Sequence, residues 1–251
     1  SYFSNEEYIN AGADICYDRE EVYKANTIIK TTPIDATELN LLQRKQTIIS
    51  PIFIPSLSKM MLKTLMEKNI TALAFEYIKS EQNTYPIVRS MAEIAGNYVM
   101  VIAANYLSIQ HGKGVLLGGI AGQPPTRILV LGAGKVAESV ARYALALGAT
   151  IQVFDDDINK LSRLQYSIGS KIYTSIIDPI NLAKNLSRAD VVIGALRPIN
   201  GKTPQVVSED MVKNMKKSAV IIDVAIDSGG CFETSVLCDH NEPHYVKHGV
   251  I

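Results

Sequence analysis

Hydrophobic and polar positions follow more than one rhythm along the chain. Between residues 4 and 78, short apolar runs rich in β-branched side chains, at 27–29, 47–49 and 71–75, are separated by stretches with helical spacing. This pattern predicts strands alternating with helices. Ser4 and Glu7 have capping-box spacing, so a helix is expected from Asn5, and a second over 19–24 precedes the first strand. From residue 90 to 110 apolar side chains fill most positions, interrupted only by Gly96. That stretch predicts one helix of about 30 Å, long enough to run from one domain to the next. Residues 112–125 hold five glycines and two prolines and read as a loop.

The second half repeats the alternation more clearly. Strands are expected over 127–131, 150–154, 171–174, 191–193 and 219–224, with helices over 135–147, 159–168, 179–186 and 209–215. The fold class is therefore α/β: two Rossmann-like, doubly wound parallel-sheet domains, 1–86 and 87–251, joined by the long helix, which belongs to the second.

Composition narrows the function classes. A chain of 251 residues, 47% hydrophobic, buries a core in each of two domains, and its 25 basic side chains balance 25 acidic ones. Disorder and an electrostatic hold on nucleic acid are both excluded by that balance, leaving small molecules as the expected partners. Cys16, Cys231 and Cys238 are too few and scattered for a disulfide framework, which fits a reducing, cytoplasmic setting. Uninterrupted apolar runs such as 99–104 fall far short of the roughly 20 residues that cross a bilayer, so no membrane partner is expected. The chain starts at Ser1 without a methionine and stops as a hydrophobic run begins, and so reads as part of a longer protein.

Gly132, Gly134 and Ala137 form a GxGxxA turn directly after the strand RILVL and directly before a helix. In that context Gly132 takes the tight turn, Gly134 lets main chain approach a pyrophosphate, and the amides of Lys135 and Val136 meet its charge at the positive end of the helix dipole. Asp155 closes the next strand, where a carboxylate accepts hydrogen bonds from ribose hydroxyls. Because a 2′-phosphate would meet Asp155, Asp156 and Asp157 together, the expected cofactor is NAD rather than NADP.

Beyond these residues the chain resembles the alanine dehydrogenase and pyridine nucleotide transhydrogenase family. The resemblance is carried by VIIDVAIDSGGCFETS at 220–235, by HGKGVLLGGIAGQPPTRILVLGAG at 111–134, and by FDDDINKLSRL, RADVVIGA and EPHYVKHGVI. It implies a partial substrate domain in the first half and an NAD-binding domain in the second. It also implies reversible oxidative deamination of an amino acid, L-alanine above all, and a homo-oligomer is expected. Cofactor contacts are implied for Lys160, for Leu196 and Arg197, and for Val224 to Asp227. Asp227, two residues before Gly229 and Gly230, matches the aspartate that assists the chemistry in alanine dehydrogenases, whereas transhydrogenase subunits depart from that pattern.

Three positions depart from the family. Its substrate-holding lysine and proton-handling histidine correspond here to Thr32 and Phe53, and a phosphate-contacting serine corresponds to Ala92. Threonine offers no cation to a carboxylate, and phenylalanine moves no proton. A homologue that binds NAD without turnover is therefore the second reading, and a changed substrate served by Lys30, Tyr77 or Arg89 is the third. Asp227 also has a plain reading as a turn residue, Arg197 as a solvated charge, and Cys231 as a small buried hydrophobe. The spacing of Cys238, His240, His244 and His248 hints at a metal, but Pro243 breaks any helix that would align them.

Overall fold

The structure, a computed structural model, describes residues 2–52, 57–199 and 201–251. The chain divides into two compact units, Ser1–Val88 and Arg89–Ile251.

In the first unit, α1 (Asn5–Asn10) opens with the expected capping box, Ser4 and Glu7 each satisfying the other's backbone. The short helices α2 (Arg19–Val22) and α3 (Glu38–Leu41) and the longer α4 (Lys59–Glu67) alternate with β1 (Thr27–Ile29), β2 (Thr47–Ser50) and β3 (Thr71–Ala74). The strands are parallel and lie in chain order β1-β2-β3. Tyr23, Ile28, Leu39, Leu42 and Ile48 form the core beneath them.

The helix α5 (Pro86–Leu107) begins at the end of the first unit and continues as the first element of the second; it starts four residues earlier than the pattern suggests, because proline suits a first helical turn. Taken over its whole length, unlike the uninterrupted runs, α5 is long and apolar enough to cross a membrane. It buries Gly96, Val99, Met100, Ala103 and Leu107, spaced as one helical face, in the core of this unit, and is a core helix. Beyond it come β4 (Arg127–Leu131), α6 (Lys135–Ala146), β5 (Thr150–Asp155), α7 (Ile158–Ile168), β6 (Tyr173–Ile176), α8 (Pro179–Leu186), β7 (Val191–Gly194), α9 (Glu209–Lys213) and β8 (Val220–Asp223). All five strands are parallel, in the order β6-β5-β4-β7-β8.

The central strand shows why RILVL folds this way. Ile128 and Val130 enter one core while Leu129 and Leu131 enter another, as the two-residue period of a strand demands. A strand covered on both faces needs an unbroken apolar run, and each such side chain contributes about 1.5–3 kcal/mol by leaving water. At the sheet edge, β6 begins at Tyr173 rather than at the expected Lys171. Its register is set by pairing with Gln152 through Asp155 on β5, a partner remote in sequence.

Candidate functional site

Parallel strands present their carboxyl ends at one sheet edge, and here the order reverses between β4 and β7. The loops leaving those two strands turn to opposite faces, which opens a crevice between them. Gly132 follows β4 with φ of 104°, and a Cβ there would collide with the Ala195 carbonyl oxygen at the end of β7. Gly134 differs: its φ of −90° suits any residue, and nothing lies within 4 Å of where its Cβ would stand. Gly132→Ala should therefore cost about 2–4 kcal/mol through strain and overlap, and Gly134→Ala less than about 0.5 kcal/mol. Urea unfolding of the two variants checks this, and equal losses would contradict it.

Gly134 is the N-cap of α6 and leaves that helix without a side-chain cap. Six other helices are capped, by Ser4, Asp18, Ser58, Asp157, Asp178 and Ser208. The leading amides of α6, those of Lys135 and Val136 among them, thus stand at the open, positive end of a helix dipole, an arrangement that suits a phosphate.

Asp155, only 3% exposed, holds this turn in place. Its Oδ2 accepts the Ala133 N–H at 2.7 Å; its Oδ1 accepts the Asp157 N–H at 2.9 Å and the Lys160 ammonium at 3.3 Å. Burial by itself would raise its pKa. The backbone bonds from Ala133 and Asp157, followed by Asp156 and Lys160, outweigh that and keep the carboxyl below the usual carboxylate range. Of the two acids that follow, Asp157 caps α7 through the Asn159 N–H, and Asp156, 68% exposed, lies 3.8 Å from the same Lys160. What remains for a ribose is the spare lone-pair capacity of Asp155, with Lys160 beside it.

Glu138 was not marked by the sequence pattern. It accepts from Lys135 at 2.5 Å, Ser167 at 2.6 Å and Arg142 at 3.1 Å, tying the start of α6 to the end of α7. Burial pushes its pKa up, but these three partners together bring it down to about 2. Both Glu138 and Asp155 are depressed relative to the unfolded chain, so both stabilise the fold above the unfolded values of 4.5 and 3.8. That contribution is lost as pH falls through the folded values. Melting temperature should fall steeply between about pH 4.5 and 2, and Glu138→Gln should flatten the slope. An unchanged slope would contradict the assignment.

Of the other residues implied by the resemblance, Leu196 is buried after β7, next to Gly132, while Arg197 is exposed without a charged partner among the described residues. The Val224 N–H donates to the Gly194 carbonyl at 2.8 Å. Asp227 is exposed in a single 3₁₀ turn, Ile226–Ser228, that ends in left-handed Gly229 and Gly230. A turn-forming aspartate would bond nearby amides. Asp227 has no such partner among the described residues, and its carboxylate is free.

In the first unit, Lys30 is 15% exposed and bound to buried Glu38, which also accepts the Asp35 N–H. It is thus not a free cation that replaces the missing lysine. Arg89 pairs with Glu93 at 3.1 Å, Tyr77 and Thr32 are exposed, and Phe53 lies outside the described residues. Cys231 is fully buried, and burial, with the neighbouring Asp223 charge, pushes its thiol up to about 12, in keeping with an inert hydrophobe. The described residues contain no group of three metal-binding side chains. Instead, His248 pairs with Glu209 at 2.6 Å, and His244 meets the Tyr106 hydroxyl at 3.2 Å.

Residues 1–95 match the alanine dehydrogenase/PNT N-terminal domain, and residues 99–251 match the alanine dehydrogenase/PNT C-terminal domain. An alanine dehydrogenase of Methanococcus maripaludis is 35% identical over the whole chain, which spans 68% of that protein. Alanine dehydrogenase 2 of Staphylococcus aureus is 31% identical over the whole chain, again spanning 68% of the relative. A solved L-alanine dehydrogenase superposes with a TM-score of 0.88 at 30% identity over 99% of this chain and 69% of its own. A transhydrogenase from Sinorhizobium meliloti shares the fold, with a TM-score of 0.80 at 20% identity over 99% of this chain and 71% of its own.

Proposed function

The chain belongs to the alanine dehydrogenase/PNT family of pyridine-nucleotide-dependent oxidoreductases, and we propose that it interconverts an amino acid and its keto acid with NAD, L-alanine being the first substrate to test. The observation that carries the reading is the glycine-capped helix α6 at the switch point, on the same sheet edge as the free carboxylate of Asp227. The residues present fit the cofactor: Gly134 leaves open space where pyrophosphate approaches, and the uncapped amides of α6 supply donors. The nicotinamide, when bound, accepts or delivers hydride. Lys135 and Val136 would hold the pyrophosphate by main chain, Asp155 and Lys160 the adenosine ribose, and Leu196, Arg197 and Val224 would line the path toward the nicotinamide. Asp227 would stabilise positive charge that develops on the substrate nitrogen, an electrostatic role that a free carboxylate can fill.

The experiment is a spectrophotometric assay of NADH formation by the complete protein with a panel of amino acids, and of NADH consumption with the matching keto acids and ammonia. Turnover with alanine or another small amino acid is the expected result. No turnover in either direction would overturn the reading. A second reading, NAD binding without turnover, is favoured by one specific observation: Lys30 is committed to buried Glu38 and so does not replace the lysine absent at Thr32.

A further inference from the structure

The loop that carries Asp227 is closed on a single side chain. Asp223 ends β8, and its carboxylate takes the Ala225 N–H on Oδ1 at 3.2 Å, then the Cys231 N–H at 2.8 Å and the Ser235 hydroxyl at 2.7 Å on Oδ2. These donors lie at the start of the loop, just past its paired glycines, and at its end. Everything between them, Asp227 included, is a chain reversal pinned at both ends to one carboxylate.

The same group accounts for Gly230 and, together with the Phe232 ring 2.7 Å from where a Cβ would stand, for Gly194. A Cβ on Gly230 would come within 2.5 Å of Asp223 Oδ2, and one on Gly194 within 2.9 Å of Oδ1. Both backbones must approach the carboxylate more closely than a side chain permits. Further bonds fix the middle of the loop: the Thr203 N–H donates to the Ser228 carbonyl at 2.7 Å, the Gln205 amide to that of Gly229 at 3.2 Å, and the Gly230 N–H to that of Ala225 at 3.0 Å. Asp227, by contrast, bonds to nothing among the described residues, so its position is set entirely by the loop.

Resting on the oxidoreductase reading above, we propose that Asp223 is the positioning residue for Asp227: it holds the loop from three sides and thereby fixes where the free carboxylate stands. Replacing Asp223 by asparagine keeps its size but leaves one acceptor oxygen for three donors, so an amide nitrogen faces either the Ala225 N–H or the Cys231 N–H and the Ser235 hydroxyl. The loop should loosen without emptying any core position.

The test is a double-mutant cycle in the complete protein with Asp223→Asn, Asp227→Asn and both together. Asp223→Asn alone should lower kcat about 10-fold or more while NADH affinity, read by calorimetry, stays within about 3-fold, because the pyrophosphate and ribose sites are built on other strands and Val224 keeps its own bond to the Gly194 carbonyl. In the Asp227→Asn background the same substitution should cost less than about 2-fold, since no carboxylate remains to be misplaced. Equal losses in the two backgrounds, or a parallel loss of NADH affinity, would overturn the proposal and leave Asp223 a merely structural residue. Should Asp223→Asn fail to fold, Ser235→Ala removes one of the three bonds and is subject to the same criterion. Absence of turnover in the wild type would sink the oxidoreductase reading instead. The positioning claim is then decided by amide hydrogen exchange at Ala225 and Cys231: faster exchange in Asp223→Asn supports it, and unchanged protection overturns it.

Discussion

Replacing Asp227 by asparagine should lower turnover at least about 100-fold while leaving NADH affinity within about 3-fold of the wild type, as expected when one positioned charge acts only in the transition state. The expectation follows from the side chain's isolation. Asp227 is exposed, caps nothing and pairs with nothing among the described residues, so its neutralisation disturbs no packing and leaves no orphaned donor. Surface changes of that kind usually alter stability by less than about 0.5 kcal/mol, so a large effect on rate has to come from chemistry. Steady-state kinetics beside calorimetry on the same preparation separates the two quantities. A fall in affinity equal to the fall in rate would mean that Asp227 serves binding, and an unchanged rate would remove it from the mechanism.

The opposite sign is expected in the first unit. Thr32→Lys together with Phe53→His should raise alanine oxidation about 100-fold or more, the scale at which a positioned proton-transfer group contributes. The resemblance implies a lysine to hold substrate carboxylate and a histidine to handle its proton, and the chain has neither at these positions. The structure sharpens the case for Thr32, because the nearest alternative, Lys30, is held by buried Glu38. Breaking that pair would strand a buried carboxylate, a change costing about 3–5 kcal/mol, so Lys30 will not swing away to replace the missing cation. Initial rates with L-alanine and NAD measure the outcome. No gain would show that the substrate pocket departs from the alanine type elsewhere, and alanine should then give way to another amino or keto acid.

The sequence made much of this frame legible because the informative signals are local. A capping box, an apolar run after a loop and glycines at fixed offsets each report on the residues beside them, and α1, β4 and the turn into α6 follow directly. What the sequence hides is where a buried polar group finds its partners. Nothing around Asp155 reveals that its carboxylate accepts from Ala133, 22 positions earlier, and nothing around Lys30 names Glu38. The partners of Asp223 are hidden for the same reason, although the sequence carries a signal: an acid ending a buried strand, followed by paired glycines that must approach something closely. The edge strand β6 was displaced because its register belongs to β5 and not to its own residues.

The claim on which the rest stands is that the α6 turn binds the pyrophosphate of NAD, with Asp155 at the ribose. Calorimetric titration of the complete protein with NADH and NADPH tests it most directly. NADH should bind in the micromolar range, about −8 kcal/mol, and NADPH at least about 10-fold more weakly, a gap of about 1.4 kcal/mol set by the Asp155 carboxylate facing a 2′-phosphate. Gly134→Ala should abolish most of the NADH signal without unfolding the protein. Equal affinity for the two nucleotides would contradict the role given to Asp155, and a flat titration with both would contradict the nucleotide site itself.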